Sequence, residues 1–117
     1  LRRYQDALAA LTKAVAITPT ADAYYKIAQV NRDLERTAAS ASALSSATRM
    51  GIEQETKTGK KVEWLSEAMW MSGFLENQLG NDASACRAWK LFIARNPTEK
   101  ARVTEATRTM MGFRGCL

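Results

Sequence analysis

The sequence predicts an all-α domain of about six helices, arranged as antiparallel helix-pair repeats with a C-terminal capping helix. Three observations carry this. Apolar residues recur at helical spacing along most of the chain, Pro occurs only twice and Gly six times in 117 residues, and one set of residue separations returns three times. A fold of many short strands would need more turn punctuation.

The first predicted helix spans about residues 2–18, where Tyr4, Ala7, Leu8, Leu11, Ala14, Val15 and Ile17 trace an apolar face that Pro19 ends. A second starts near Thr20 or Asp22, either of which can accept hydrogen bonds from exposed amides, and runs through Tyr24, Ile27, Ala28 and Asn31 to about Leu34. The third is Ala-rich, from about Thr37 to Met50, with Gly51 as its stop. Residues 52–61 are polar, contain Gly59 and keep no sustained apolar period, so they read as a loop or as frayed helical extensions. A fourth helix, about Val62 to Leu79, carries Trp64, Leu65, Met69, Trp70, Met71, Phe74 and Leu75 before the turn Gly80-Asn81-Asp82. The fifth covers about Asp82 to Arg95 and ends at Asn96-Pro97, and the sixth covers about Thr98 to Met111.

The internal repeat is the sharpest signal. Ala7, Leu11, Ala14 and Pro19 are separated by four, three and five residues; Ala85, Trp89, Phe92 and Pro97 repeat those steps, as do Ser40, Leu44, Ala47 and Ile52, with Ile52 in place of the proline. The shift is 33 residues from Ala7 to Ser40 and 45 from Ser40 to Ala85. The excess of about eleven over a 34-residue period falls on the polar segment. A second set, Tyr24, Ile27, Ala28 and Asn31, matches Met69, Ser72, Gly73 and Glu76, each lying 16 residues before its partner set. Small residues at Ala7, Ser40 and Ala85 let a neighbouring helix approach closely, and Leu11, Leu44 or Trp89 one turn later fills the gap.

These residues resemble the tetratricopeptide repeat (TPR) family, whose first helix follows W-x2-L-G-x2-Y and whose second carries A-x3-F and a terminal Pro. Asn31 and Glu76 replace the usual aromatic, Ser72 a large apolar residue and Ser40 the Ala. The resemblance implies an α-solenoid forming a single domain over residues 1–117. Residues 1–19 would be the second helix of an incomplete repeat, 20–52 a repeat, 53–61 an insertion loop, 62–97 a repeat and 98–112 a capping helix. It also implies a concave face lined by the first helix of each pair. That face would hold Asp22, Tyr25, Gln29 and Arg32 from one repeat and Glu67, Trp70, Phe74 and Asn77 from the other. Trp70 and Phe74, four apart, would share a helix face as an aromatic platform beside Tyr25, unless both are core. The Lys and Asn pairs with which some members hold a terminal carboxylate have no counterpart, because Tyr25, Gln29, Trp70 and Phe74 stand there. Extended or helical segments with apolar side chains are the expected ligands, with Lys26 and Arg32 available for an acidic flank.

Other function classes find little support. The chain has no His, no Gly-rich phosphate loop and no nucleophile motif, so neither catalysis nor a cofactor is expected. Glu63 and Glu67, four apart on the predicted fourth helix, read as solvated acids. Cys86 and Cys116 are too few for a zinc site, and they can pair only if the C-terminal tail folds back onto the helix carrying Cys86. Net charge is +5, yet basic and acidic residues are interspersed; the only close basic group is Lys57, Lys60 and Lys61, the basis of a lesser alternative in which the chain binds an anionic surface. No run approaches a membrane span.

The expected function is a non-catalytic scaffold or adaptor that binds a partner protein segment. The alternative is a structural subunit with permanent helix-mediated contacts. The opening helix would expose Tyr4, Leu8 and Leu11 to upstream repeats or to a second copy, as in part of a longer protein. Cytoplasmic and exported locations both stay open.

Overall fold

In a computed structural model, residues 2–116 are described and form six helices: α1 (Arg2–Ile17), α2 (Ala21–Asp33), α3 (Thr37–Thr58), α4 (Leu65–Gln78), α5 (Asp82–Arg95) and α6 (Lys100–Met110). The described residues contain no strand. Each of α2 to α5 packs on the helix before it, and α6 covers the α4–α5 end.

Local chemistry sets most boundaries. Pro19 and Pro97 each lie two residues beyond the last residue of their helix, Ile17 and Arg95. Thr20 is the N-cap of α2, its side chain accepting from the Ala23 amide at 3.1 Å. The turns after α2 and α4 carry matching hydrogen bonds. The Arg36 amide donates to the Asn31 carbonyl at 2.8 Å, and the Asn81 amide donates to the Glu76 carbonyl at 2.9 Å. The left-handed residue of the two turns is Glu35 (φ 58°) in the first and Gly80 (φ 77°) in the second.

The third helix departs from expectation. It does not stop at Gly51 but runs on to Thr58, so residues 53–58 of the expected insertion loop are helical and the expected repeat boundary at 52 falls inside α3. The reason lies at the position where the other two helices have proline. Ile52 keeps its amide and packs half-buried on the core, so nothing breaks the helix there. Gly51 has a different use: a Cβ on it would meet Leu65 Cδ1 at 2.9 Å, so its bareness lets the start of α4 close onto α3. The helix ends at Gly59 (φ 68°), whose amide reaches the Glu55 carbonyl at 2.8 Å. Residues 62–64, expected to be helical, belong to the connection, and α4 starts at Leu65.

Two apolar clusters fill the interior. Ala28, Ala41, Ala43, Leu44, Ala68 and Leu75 join α2, α3 and α4 through small side chains. Leu65, Met69, Trp70, Trp89, Phe92 and Met110 form the larger cluster among α4, α5 and α6. Burying each such large side chain contributes about 1.5–3 kcal/mol.

The helix pairs α2–α3 and α4–α5 pack with different residue sizes at matching positions of the sequence pattern. In the first, Ala28 shares its cluster with Leu44, and Ser40 satisfies its buried hydroxyl by donating to the Ala28 carbonyl at 2.7 Å. In the second, Gly73 stands where Ala28 does, and Trp89 where Leu44 does. A Cβ at Gly73 would lie 2.3 Å from Trp89 Nε1, which donates to the Trp70 carbonyl at 3.2 Å. The indole occupies the space of the missing methyl.

The tail folds back. Cys86 and Cys116 form a disulfide with their Cα atoms 5.9 Å apart, and the Phe113 ring lies parallel to Trp89, centroids 6.3 Å apart. A closed loop spanning a separation of 30 residues contributes about 3–4 kcal/mol in the chain-entropy model. On the opposite end, α1 has no buried residue: Tyr4 is exposed, and Leu8 and Leu11 are half-buried.

This packing makes Gly73 and Trp89 energetically coupled. Gly73→Ala is expected to destabilise by about 2–3 kcal/mol through overpacking, and Trp89→Leu by about 3 kcal/mol through cavity formation. The double variant restores the Ala28–Leu44 pairing and should cost at least about 1 kcal/mol less than the sum. Denaturant unfolding of the four proteins measures the coupling, and strict additivity would refute it.

Candidate functional site

The expected site residues lie on α2 and α4, where spacings of three, four and three place each set along one helix face. Burial and the nearby Glu67 carboxylate push the Tyr25 phenol above its ordinary value of 10.0, while Arg32 pulls it down.

The aromatic partner of Tyr25 is Trp64. The rings stack with centroids 4.5 Å apart and planes 7° from parallel, and Trp64 Nε1 donates to the Asp22 carboxylate at 2.7 Å. Trp64 sits at the N-cap of α4, where the connection from α3 swings its ring onto α2. Asp22, Tyr25, Lys26, Gln29 and Trp64 line a cleft of about 450 Å³.

The first cleft lies between α2, the end of α3 and the connection to α4; a second, of about 410 Å³, lies between the end of α2 and α4, lined by Arg32, Trp70, Met71, Phe74 and Gln78 among others. Phe74 is 42% exposed. Trp70, by contrast, is only 9% exposed and does not form a surface platform with Phe74. It packs on Trp89 and Phe92, with centroids 5.7 and 5.3 Å away, because Gly73 admits α5 so closely to this side of α4. Asn77 is half-buried and lines neither cleft.

Glu67 is held by α6. Arg102 donates to both of its carboxylate oxygens, at 2.8 and 3.3 Å, and its guanidinium carbon lies 5.1 Å from the centroid of the Trp70 ring. The bond to Glu67 raises the Arg102 pKa. Glu63, expected on the helix with Glu67, lies in the connection instead. Neither Trp64 nor Arg102 stood out as a site residue in the sequence. Trp64 has no counterpart in the matching residue sets, and the position of Arg102 depends on the docking of α6 through Ala106, Met110 and the disulfide.

The Lys60–Lys61 region carries its own counter-charge. Glu55, Gly59, Lys60, Lys61 and Arg95 line one shallow site. The Glu55 carboxylate at its centre accepts from Arg95 Nη1 at 2.6 Å, forms a second bond to Arg95 Nη2, and accepts from the Val62 amide at 2.7 Å. Arg95 Nε also donates to Ser66 at 2.9 Å, leaving this guanidinium committed within the protein. A carboxylate so placed opposes an anionic ligand.

Chemically, the α2–α4 face offers aromatic surface with mixed charge at its margin. Among the described residues, no three His, Cys, Asp or Glu side chains converge to hold a metal, and no helix is long and apolar enough to cross a membrane.

The Glu55 site has a pH signature. The Arg95 hydrogen bonds hold the Glu55 carboxyl below its ordinary value of 4.5. A lowered folded-state value means its contribution is present above pH 4.5 and lost as pH falls through that lowered value. Glu55→Gln should therefore cost about 2 kcal/mol at pH 7, with the stability curves of the two proteins converging as pH falls through the lowered Glu55 value. Curves that stay parallel until the carboxyl is fully protonated would exclude this role.

No family model, curated protein or solved structure matches this chain.

Proposed function

We propose that the chain is a non-catalytic protein-interaction scaffold: a short TPR-like α-solenoid that holds a partner protein segment along the α2–α4 face. The observation that carries this reading is the sequence of surfaces on that face. The stacked Tyr25–Trp64 pair is followed by the exposed Phe74, with Lys26 and Arg32 at the margin. Apolar faces with polar edges suit an extended or helical segment that presents large side chains about one turn apart. Lys26 and Arg32 suit an acidic flank, and Arg102 holds the Glu67 carboxylate in place.

A permanent subunit role is favoured by one observation, the absence of any buried residue on α1. In that reading upstream repeats or a second copy cover Leu8 and Leu11. The Cys86–Cys116 disulfide favours an oxidising compartment for either role.

Selection from a displayed peptide library tests the scaffold. The expected winners carry aromatic or large aliphatic residues with an acidic flank. Tyr25→Ala and Phe74→Ala should each weaken them by roughly 30-fold, the loss of about 2 kcal/mol typical of a binding hot spot. Unfolding of Phe74→Ala should stay within about 1 kcal/mol of the wild type, since the ring is exposed. Peptides that bind both variants as tightly as the wild type, or that dissociate steeply as salt rises, would exclude this face as the binding surface.

A further inference from the structure

We propose that Glu55 and Arg95 are positioning residues for partner binding: from behind the α3–α4 connection they hold Trp64 in the stack that walls the first cleft. The inference deepens the scaffold reading and rests on it for the effect on binding. Neither residue lines that cleft, whose wall on this side is Gln54, Val62, Glu63 and Trp64. Consecutive residues lie about 100° apart around a helix axis. Gln54 of α3 therefore faces the cleft while Glu55 turns to Arg95.

Most of this wall is irregular chain. Residues 59–64 belong to no helix, so their backbone is held by its individual contacts. Those contacts gather at Val62. Its amide donates to Glu55 Oε2 at 2.7 Å, and its carbonyl accepts from the Leu65 amide at 3.1 Å and from Arg95 Nη2 at 3.4 Å. Its side chain is buried in the larger cluster. Arg95 also donates to Ser66 in the first turn of α4, at 2.9 Å. The pair thus anchors the chain two residues before Trp64 and two residues after it. The Arg95 and Glu55 side chains are 20% and 19% exposed, so water competes weakly for the forked bond between them.

Trp64 carries this anchoring to α2. Between the two anchors its ring stacks on Tyr25 and its Nε1 donates to Asp22. A stacked pair contributes less than several loop residues gain in freedom on release, so the stack depends on the anchors.

Proton NMR reads the stack without any partner. In the wild type the Trp64 ring current displaces the Tyr25 ring protons upfield. Glu55→Ala and Arg95→Lys should each shrink that displacement and speed exchange of the Trp64 Nε1 proton roughly ten-fold, while the Trp89 Nε1 proton in the core keeps its wild-type rate. Peptides selected on the wild type should bind both variants about five-fold more weakly, a loss that disappears when Tyr25 is already alanine. The positioning role is overturned if the Tyr25 shifts and Trp64 exchange match the wild type, if Trp89 exchange rises as much as that of Trp64, or if the binding losses of Glu55→Ala and Tyr25→Ala simply add. The ring measurements need no ligand. If they behave as expected and no peptide binds, the hold on Trp64 stands and the scaffold reading alone is refuted.

Discussion

The contact between Gly73 and Trp89 determines how the second half of the molecule is assembled. An indole can lie against the α4 backbone only because position 73 has no side chain, and once there it donates to the Trp70 carbonyl. That fixes the separation of α4 and α5 and turns Trp70 onto Phe92. The outer surface of Trp70 then becomes the seat for Arg102, and through Arg102 the Glu67 carboxylate is oriented. Phe113 stacks on Trp89 from the tail, and the disulfide holds the tail in place. A single missing methyl is thus linked, through packing, to the charge pattern at one end of the α2–α4 face.

The α2–α3 pair packs with other residue sizes. Ala28 and Leu44 stand there in place of Gly73 and Trp89, and Ser40 adds a buried hydrogen bond where α5 has Ala85. The two halves meet at the long helix α3. Its extra turns beyond Ile52 carry Glu55 to Arg95, tying the end of α3, the connection at Val62 and the end of α5 into one half-buried network. A proline at position 52 would have removed that bridge.

Much of this fold is legible in the sequence because its determinants are local. Pro19 and Pro97 end helices whatever surrounds them, and the four-three-five spacing reports small and large residues whose partners are equally regular. Gly51 shows where local reading fails. A glycine inside a helical pattern serves equally as a stop or as a point of close approach, and Leu65 on another helix decides between them. Trp70 and Trp64 fail for a related reason. Periodicity places a side chain on a face, but not which neighbour covers that face; Gly73 and the α3–α4 connection decide it. Of the expected residues, Asp22, Tyr25 and Gln29 line one cleft and Arg32, Trp70 and Phe74 another. The place of Arg102 was not readable, because it depends on where α6 docks.

The same geometry gives α4 two unlike sides: Phe74 lines the cleft shared with α2, and Ser72 and Glu76 line the cleft between α3 and α5. The α5 side rests on the helix separation that Gly73 permits. Two-dimensional NMR of the Trp indole protons examines that separation most directly. Strong nuclear Overhauser contacts are expected between the Trp89 indole and the Gly73 α-protons. The buried Trp89 Nε1 proton should also exchange with solvent far more slowly than that of the more exposed Trp64. A Trp89 indole that exchanges as fast as that of Trp64 and shows no contact with Gly73 would contradict this packing.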